Sequence, residues 1–425
     1  MCVGVIFVLN ALDAYAIGPV PLTWIAQILA LSLFAVMISG KRLSYPPGFP
    51  ALVFLVISLV VITLFYVSSR QYVSLMPLQG TTGYNIYISL RVLTLLSFVA
   101  ISAVVYELLR RGHSDTIVSI VLWTGLFVAI AALYIYVAQL SGWPEPPRSR
   151  VGTQANGEQT TVFTYAFHRA MGTFREPGFL AQWLVLPLLL SAFRRRNPVN
   201  IFSVAMSTVL MLSGALTGLV SIPLGMTAAF LIVRPNRVRH LMAIAGALVA
   251  LGIGLVGFSF FAQSYKGGDV DFVETISKRL APMEERGMAG SNRAYVYSYI
   301  AEVSIPWIGP GLGHANMDFS RRLNAPIIIS FINLYFNILL SGGLLLFPLF
   351  VYVLIRPLWS AFRVPWIART ASLYGIVGVY CSWLAMFAIQ SEELSLMFGF
   401  VFALLVYEVS GKSRPGQNEI RIRLA

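Results

Sequence analysis

The sequence predicts an all-α integral membrane protein with about 11–12 transmembrane helices and two long extracytoplasmic loops. Charged residues make up 11% of the 425 residues and hydrophobic residues 57%, whereas soluble domains carry about 25% charged residues. Apolar runs of about 18 residues or more, each long enough to cross roughly 30 Å of hydrocarbon, recur along the whole chain. Basic residues gather in every second connection between these runs. We therefore expect one polytopic membrane domain over residues 1–425.

Each predicted span is an apolar run bounded by polar or charged residues. Three spans contain a proline (Pro187, Pro223 and Pro348), which neighbouring helices can accommodate by satisfying the freed carbonyls. A twelfth span would form if the apolar stretch Met1–Leu12 also crosses the membrane. The other spans are predicted at about 17–39, 47–67, 84–107, 115–139, 177–193, 198–214, 216–233, 240–262, 327–355, 367–390 and 393–410.

Charge placement predicts the orientation of these helices. One alternating set of connections holds 17 of the 30 basic residues, and the other set is close to neutral. Because cytoplasmic connections are enriched in Lys and Arg, the basic set and the C-terminus are expected in the cytoplasm. The net charge of +13 then reflects topology, and no basic stretch is interleaved with aromatics as a nucleic-acid groove requires. The basic set is Lys41, Arg42, Arg110, Arg111, Arg194, Arg195, Arg196, Arg234, Arg237, Arg239, Arg356, Arg363, Arg369, Lys412, Arg414, Arg421 and Arg423.

The two long connections, about 140–176 and 263–326, are expected on the opposite, extracytoplasmic face. In the first, Arg175-Glu176-Pro177 opens a predicted helix. Arg175 suits bidentate phosphate contacts, although an arginine at a helix mouth can also snorkel. Glu176 fits an N-terminal cap as well as a chemical role. His168 and Arg169 lie just upstream and could extend the same positive patch.

In the second connection, Arg293 heads a segment with Tyr295 and Tyr299, and the turn Gly309–Gly313 follows. The functional interpretation is a diphosphate clamp with aromatic platforms for sugar rings. Backbone N–H groups of the glycine-rich turn could approach an anion closely. The alternative is an aromatic belt at the membrane interface with a charged anchor.

Polar residues in or beside the spans add further candidates. Asn333 and Asn337 share one face of the helix that is expected to begin near Pro326, where amides either tie helices together or contact a sugar. Arg91 lies inside an apolar run and needs a partner. Because acids are almost absent from the spans, lipid phosphate or backbone carbonyls are its expected company. The pair Glu392-Glu393 is interpreted as a solvated turn, with a general base as the alternative.

Several chemistries are excluded by the motifs that the sequence lacks. The two cysteines and four histidines have no metal-ligand spacing, and no P-loop, H-E-x-x-H or G-x-S-x-G motif is present. The D-V-D run at Asp269–Asp271 is the spacing that binds metal–nucleotide sugars, but it lies in an expected extracytoplasmic loop. We therefore expect neither a metal nor another cofactor.

Three segments follow one another in a characteristic order: G-T-F-R-E-P-G-F-L-A-Q-W from Gly172, S-N-R-A-Y…W-I-G-P-G-L-G from Ser291, and I-N-L-Y-F-N-I-L-L-S-G-G-L-L-L-F from Ile332. In this order they resemble the O-antigen polymerase (Wzy-type) and O-antigen ligase superfamily of polytopic membrane proteins. The resemblance covers the topology of the whole chain, and its motifs are confined to roughly 172–183 and 290–347.

The resemblance implies a function and a location. Members of the superfamily take undecaprenyl-diphosphate-linked oligosaccharides at the outer face of the bacterial inner membrane, without a nucleotide sugar or a metal. Polymerases join lipid-linked repeat units into O-antigen or exopolysaccharide, and ligases transfer the glycan to lipid A–core. Membrane lipid and a chain-length-regulating co-polymerase are the partners that this resemblance implies, with no nucleic acid.

The resemblance also assigns roles to residues of this chain. Arg175 and Arg293 match the loop arginines thought to hold the diphosphate, and Glu176 and Asn333 are further catalytic candidates. Substrate contacts are expected from Arg91, His168, Arg169, Tyr295, Tyr299, His314 and Asn337. Where ligases have a histidine before the asparagine of the late helix, this chain has Ile332, which favours a polymerase. Glu176, Glu302, Asp318 and His314 are candidates for the base, and a flippase or transporter of lipid-linked sugars is the alternative of a different class.

Overall fold

The computed structural model describes residues 2–40, 43–68, 83–150, 169–194, 199–233, 299–323, 328, 330–331 and 333–412. Within these ranges the chain is almost entirely helical, with one short antiparallel hairpin of β1 (Ala16–Ile17) and β2 (Val20–Pro21). The helices are α1 (Cys2–Asn10), α2 (Leu22–Ser39), α3 (Phe49–Ser68), α4 (Tyr84–Arg110), α5 (Ser114–Ser141), α6 (Pro177–Arg194), α7 (Ile201–Ser213), α8 (Leu216–Val233), α9 (His314–Arg322), α10 (Leu334–Phe362), α11 (Ala371–Ile389) and α12 (Leu396–Lys412), with a 3₁₀ turn at Trp366–Ala368.

The chain is a multi-pass membrane protein. Within the described residues, seven helices are long and apolar enough to cross a membrane, and α7, α8 and α12 are shorter apolar helices. These ten helices coincide with the predicted spans to within a few residues, except for α10, which begins and ends seven residues later than its predicted span 327–355. The predicted span at 240–262 lies outside the described residues. The N-terminal helix α1 has nine residues, fewer than the roughly 20 that a spanning helix needs.

The start of α10 corrects the prediction that this helix begins near Pro326. It begins at Leu334, and the Asn333 side chain caps it by accepting a hydrogen bond from the Phe336 N–H. Asparagine is among the best residues for this position because its side-chain oxygen satisfies an amide that has no partner in the helix. The apolar run upstream concealed this boundary.

The described chain forms two compact units, each assembled from three separate segments. Unit 1 contains residues 1–26, 113–290 and 369–383, and unit 2 contains residues 27–112, 291–368 and 384–425. Two helices, α2 and α11, pass from one unit to the other. The units are therefore not consecutive domains along the chain.

Unit 1 is built around α5, α6 and α7, which pack against one another, with α1 against α5 and α8 against α6. Gly125 makes one of these close approaches possible, because a Cβ there would lie 2.6 Å from Cβ of Pro187. Arg194 at the end of α6 donates to Ser114 Oγ at the start of α5 over 2.8 Å. The end of α5 and the start of α6 therefore lie together at the other end of this unit.

Unit 2 is centred on the packing of α4 against α12, with α3 against α10. The Phe98 ring of α4 stacks on Phe398 of α12 with ring centroids 5.7 Å apart. Next to this pair, a Cβ at Gly399 would lie 2.9 Å from the Phe98 carbonyl oxygen, so glycine permits the close contact. Large apolar side chains buried between these helices form the core of the unit.

Candidate functional site

A largely covered cluster of charged and amide side chains lies in unit 2, where the start of α4, the start of α10 and the α11–α12 turn meet. Its centre is Arg91, about two turns into α4. Arg91 Nη2 lies 2.6 Å from Glu392 Oε1, and Nη1 bonds Glu393 Oε1. Nη2 also donates to Tyr87 Oη over 2.7 Å. We call Arg91, Glu392 and Glu393 the charged triad.

Glu392 is fixed from several sides. Its Oε2 accepts from Asn316 Nδ2 and from the Phe331 N–H, both over 2.6 Å. Its backbone carbonyl accepts from Asn337 Nδ2 over 2.9 Å. The side chain is 14% exposed. The Glu392 carboxylate is therefore fixed in place by hydrogen bonds, and it orients the Arg91 guanidinium.

Glu393 is more exposed than Glu392. Its side chain is 32% exposed, against 14% for Glu392 and 13% for Arg91. One carboxyl group of the triad is thus accessible, whereas its neighbour and the guanidinium are largely covered. Of the two carboxyl groups, Glu393 therefore has the larger accessible surface.

The two carboxyl groups have different acidities. Burial raises the pKa of Glu392, but the charge of Arg91 and hydrogen bonds from Asn316, Arg91 and Ser330 outweigh it, so the pKa lies below its ordinary value. For Glu393, burial and the neighbouring charge of Glu392 outweigh Arg91 and raise the pKa above its ordinary value. Neighbouring carboxyl groups with separated pKa values allow one to stay ionised while the other exchanges a proton.

Two expectations from the sequence are wrong here. Arg91 is paired with two carboxylates rather than with lipid phosphate or backbone carbonyls, and Glu392-Glu393 is not a solvated turn. The sequence carried a usable signal: a charge inside a span needs a partner, and two adjacent glutamates separate two apolar runs. Only the meeting of α4 with the α11–α12 turn, about 300 residues apart, connects these signals.

Asn333 and Asn337 both serve to tie helices together. Asn333 Nδ2 donates to the Ala388 carbonyl over 3.0 Å while its oxygen caps α10. Asn337 donates to the Glu392 carbonyl and accepts from Ser341 Oγ over 3.2 Å. These contacts agree with the interpretation that the two amides tie helices together. They also join Asn337 to the charged triad by one hydrogen bond, to the Glu392 carbonyl.

In the Gly309–Gly313 turn, two backbone N–H groups bond other parts of the protein, whereas the sequence suggested that they could contact an anion. The Gly311 N–H donates to the Ser341 carbonyl and the Leu312 N–H to Thr63 Oγ1, both over 2.9 Å. These two amides are therefore occupied by the protein itself. Gly311 has φ +94°, and a Cβ there would lie 2.6 Å from Cα of Thr63, so the close approach to α3 requires glycine.

The residues just before this turn bond the backbone at a break in α10 at Gly343, which has φ +75° and ψ −178°. Beyond the break, the Leu344 N–H donates to the Pro306 carbonyl over 3.0 Å and the Leu345 N–H to the Trp307 carbonyl over 3.1 Å. Interruptions of a spanning helix are tolerated where protein groups satisfy the released backbone. The α10 break is thus supported by segment 306–311.

His314, at the start of α9, is held as a neutral residue. Its Nδ1 lies 3.1 Å from the Gly311 carbonyl, which can only accept, so Nδ1 carries the proton. Its Nε2 then accepts from Tyr84 Oη over 3.1 Å. Burial lowers the pKa of His314 to about 4, against the opposing effect of the Gly311 hydrogen bond. These contacts suit a group that fixes the turn better than a base that takes protons near neutral pH.

Tyr299 lies in an apolar cluster rather than on an open surface. Its ring makes edge contacts with Phe319 and Phe331, with centroids 5.3 and 5.7 Å apart. Its hydroxyl donates to Asp318 Oδ2 over 2.6 Å, and the Arg322 guanidinium lies 5.0 Å from the ring centroid. These contacts are those of a core residue, and they also engage the candidate base Asp318.

Arg175 belongs to a separate cluster, in unit 1. Its Nε donates to Asp13 Oδ2 over 2.9 Å, and its guanidinium lies 5.2 Å from the Phe179 ring centroid. The Arg175 side chain is 34% exposed. Asp13 also binds Arg150, so one carboxylate anchors two arginines. Arg175 is positioned, and it remains accessible.

The neighbours of Arg175 have structural contacts. Arg169 Nε donates to the Ser213 carbonyl over 2.7 Å, at the C-terminal end of α7. Glu176 is exposed, and its carbonyl accepts from the Phe179 and Leu180 N–H groups at the start of α6. Glu176 therefore stands immediately before the first residue of α6.

Several candidates lie outside the described residues, namely Arg293, His168, Tyr295 and Ile332. Glu302 is described and is exposed. Among the described residues, no group of three or more His, Cys, Asp or Glu side chains could hold a metal ion.

No protein-family model matches this chain, and no curated protein or solved structure matches it either.

Proposed function

We propose that this protein polymerises lipid-linked oligosaccharide repeat units, as a metal-independent glycosyltransferase that uses an undecaprenyl-diphosphate-linked glycan as donor. It works at the outer face of the bacterial inner membrane, with its C-terminus in the cytoplasm, and builds O-antigen or exopolysaccharide. The observation that carries the proposal is the charged triad, in which the accessible Glu393 is held beside Arg91 and the fixed Glu392. The order of sequence motifs supports the same reaction.

The reaction needs a base and positive charge. The acceptor hydroxyl oxygen forms a bond to the anomeric carbon of the donor sugar, and the bond from that carbon to the diphosphate oxygen breaks. The hydroxyl proton passes to the base, and undecaprenyl diphosphate leaves with the electron pair. A carboxylate whose pKa is raised above its ordinary value is a stronger base than an ordinary carboxylate. Glu393 takes this role, and Glu392 keeps Arg91 in place.

Arginines suit the leaving group. The diphosphate carries its charge on oxygens that a guanidinium binds in pairs, so positive charge placed there stabilises the departing group. Arg175 and Arg293 are proposed for this contact, the former because its side chain is partly exposed while anchored to Asp13. Membrane lipid and a chain-length-regulating co-polymerase complete the proposed partners, and an O-antigen ligase remains an alternative that Ile332 disfavours.

A second candidate, a flippase or transporter of lipid-linked sugars, is favoured by two observations in unit 2. Ionisable residues inside membrane proteins often form proton relays, and the triad contains a carboxyl group that can exchange a proton. Interrupted helices such as α10 are common at transporter binding sites. The two candidates differ in where repeat units accumulate when the protein is absent.

The test compares glycan products in a strain that lacks the protein, complemented with wild type, Glu393→Gln or Glu302→Gln. Glu302→Gln tests the competing assignment, because Glu302 is an exposed glutamate of the same unit and one of the base candidates from the sequence. We expect a long polysaccharide ladder from wild type and Glu302→Gln, and single-repeat glycan from Glu393→Gln at a normal membrane level. A wild-type ladder from Glu393→Gln would show that Glu393 is not the base. Repeat units trapped on the cytoplasmic side in the deletion strain would instead identify a transporter.

A further inference from the structure

Three aromatic side chains from three different helices of unit 2 lie together near the charged triad. Tyr66 is close to the end of α3, Tyr84 is the first residue of α4 and His314 is the first residue of α9. The ring centroids of Tyr66 and of Tyr84 each lie 6.3 Å from that of His314. The histidine is buried, whereas both tyrosines keep part of their surface exposed. We call these three residues the aromatic cluster.

The aromatic cluster is held in place by the turn that precedes α9. Tyr84 Oη donates to His314 Nε2 over 3.1 Å, and the other ring nitrogen of His314 lies 3.1 Å from the Gly311 carbonyl. The turn is itself bonded to α3, because the Leu312 N–H donates to Thr63 Oγ1 over 2.9 Å. The rings are therefore positioned by the protein, which reduces the entropy that a ligand must lose to order them.

Helix α4 connects the aromatic cluster to the charged triad. Tyr84, Tyr87 and Arg91 are spaced by three and four residues, so they lie along one face of this helix. Arg91 Nη2 donates to Tyr87 Oη over 2.7 Å. Tyr87 also packs against the turn, since a Cβ added at Gly313 would lie 2.7 Å from its Cε1. Tyr87 thus contacts both groups of residues.

The length of this face sets the size of a ligand that could use it. From Tyr84 to Arg91 the helix rises about 10 Å. A molecule that reaches from the aromatic cluster to the triad must therefore be longer than a single sugar ring or an inorganic anion. Accessible surface exists at both ends, because the two tyrosines are partly exposed and the Glu393 side chain is 32% exposed. An oligosaccharide has the required length.

Tyrosine rings also have the chemistry that a sugar requires. A sugar ring presents a face of C–H groups surrounded by hydroxyls. The C–H face packs against the face of an aromatic ring, which carries the negative side of the ring quadrupole. A tyrosine adds a hydroxyl that can donate or accept a hydrogen bond. Rings of this kind next to a candidate base favour a sugar as the occupant over the acyl chain of a lipid.

We propose that Tyr66 and Tyr84 bind a sugar ring of the acceptor oligosaccharide while its reacting hydroxyl lies at Glu393. The proposal rests on the proposed function for the role of Glu393, and it adds the residues that orient the acceptor. Because the base contacts the acceptor hydroxyl, the glycan that continues from that hydroxyl to the aromatic cluster belongs to the acceptor. His314 is a positioning residue, since its bond to Tyr84 fixes that ring.

The test measures binding of the oligosaccharide that mild acid releases from the lipid-linked repeat unit of the deletion strain. Calorimetry is performed on the purified full-length protein in lipid nanodiscs, for wild type, Tyr66→Leu, Tyr84→Leu, Tyr66→Phe and the control Tyr45→Leu. Tyr45 is a matched control because it is an exposed tyrosine of unit 2 that precedes the opposite end of α3. Undecaprenyl diphosphate without a glycan is the second probe, and the unfolding temperature of each variant is recorded.

Loss of one aromatic contact predicts oligosaccharide affinity about two- to tenfold weaker for Tyr66→Leu and for Tyr84→Leu. Tyr66→Phe should lose less because the ring remains, and Tyr45→Leu should equal wild type. Undecaprenyl diphosphate should bind all these variants as it binds wild type. Wild-type oligosaccharide affinity in both leucine variants would overturn the proposal. Weaker binding of undecaprenyl diphosphate in the same variants would overturn it too, because the rings would then contact the lipid.

Tyr84→Leu also removes the hydrogen bond to His314, so a further variant separates the two effects. Tyr84→Phe loses the same hydrogen bond and keeps the ring. It should bind the oligosaccharide more tightly than Tyr84→Leu. Equal losses in the two variants would assign the effect to the hydrogen bond and contradict a contact between the Tyr84 ring and the sugar.

The two proposals fail in distinguishable ways. If both leucine variants bind the oligosaccharide as wild type does while Glu393→Gln abolishes the ladder, the aromatic site is wrong and the polymerase stands. If binding depends on Tyr66 and Tyr84 but repeat units stay on the cytoplasmic side in the deletion strain, the sugar contact stands and the polymerase is wrong.

Discussion

At the scale of single residues, a guanidinium about two turns into a spanning helix is stable only when acceptors surround it. Arg91 obtains them from Glu392, Glu393 and Tyr87. The arrangement is mutual, because the same guanidinium compensates two neighbouring carboxylates in a largely covered position. Removal of Arg91 leaves both carboxylates without compensation, whereas removal of one carboxylate leaves Arg91 paired with the other.

Arg91→Met should therefore destabilise the protein strongly. Breaking a buried ion pair on one side costs about 3–5 kcal/mol, and the partial exposure of Glu393 places the expected loss at the lower end. The triple variant Arg91→Met, Glu392→Gln, Glu393→Gln should recover most of that loss, because no uncompensated charge remains. Thermal unfolding in detergent measures both. A triple variant as unstable as the single one would contradict the pairing.

His314 predicts a pH dependence of stability. Its pKa in the folded protein is about 4, below the ordinary 6.5, so the folded state binds fewer protons than the unfolded state between these values. Its contribution is therefore intact above pH 6.5 and is lost as the pH falls towards 4, by about 3 kcal/mol at the low end. His314→Asn keeps a donor for the Gly311 carbonyl and does not titrate. The unfolding temperature of this variant should fall less steeply than that of wild type between pH 6.5 and 4; parallel curves would exclude His314 as the cause.

At the scale of elements, α10 is interrupted where segment 306–311 replaces its backbone partners. Gly343 adopts a conformation almost restricted to glycine, and an added Cβ would lie 2.5 Å from the Trp307 carbonyl oxygen. Segment 306–311 lies outside the helix but supplies hydrogen-bond partners to its backbone. Its Pro306 and Trp307 carbonyls accept from α10 and its Gly311 N–H donates to α10, which is the physical reason that the Gly311 amide is not offered to an anion.

Gly343→Ala should disturb this junction. Backbone strain of this kind costs about 1–3 kcal/mol, and the clash with segment 306–311 adds to it. Gly342→Ala is the control, since its Cβ would meet only side-chain atoms at 3.1 and 3.2 Å, which can adjust. We expect a clearly lower unfolding temperature for Gly343→Ala than for Gly342→Ala. Equal temperatures would show that α10 accepts a continuous helix at this point.

At the scale of the whole molecule, the distribution of basic residues predicts which ends of the helices face the cytoplasm. In unit 1, Arg194 and Asp115 lie together at one end, and the cluster of Asp13, Arg150 and Arg175 lies at the other. Because cytoplasmic connections are enriched in basic residues, we expect the first end on the cytoplasmic side. We then expect the cluster of Asp13, Arg150 and Arg175 on the extracytoplasmic side.

Cysteine labelling tests this orientation. In a variant without the exposed Cys2, and with Cys381 retained because it is buried, a single cysteine is placed at Pro147 or at Asp115, both exposed. A membrane-impermeant maleimide should label Pro147→Cys in intact cells and Asp115→Cys only after the membrane is opened. The reverse pattern would contradict the expected orientation and place the cluster of Asp13, Arg150 and Arg175 on the cytoplasmic side.

Sequence reasoning predicted the helices well because apolar runs and their bounding charges act locally. Ten spans coincide with described helices, and Arg175 was placed at the mouth of α6. The start of α10 was mispredicted because the apolar run continues upstream of Asn333, and capping is decided by a single side-chain hydrogen bond.

By itself, the sequence determined the class of this protein, its helices and its charge asymmetry, since length and hydrophobicity suffice to select a membrane-spanning helix. Only the tertiary structure decided which charges are partners. Arg91 meets carboxylates about 300 residues away, Arg175 and Arg150 meet at Asp13, and the glycine-rich turn meets the α10 break. Pairings across such separations depend on how helices pack, and hydrophobic patterns carry no information about which polar ends come together.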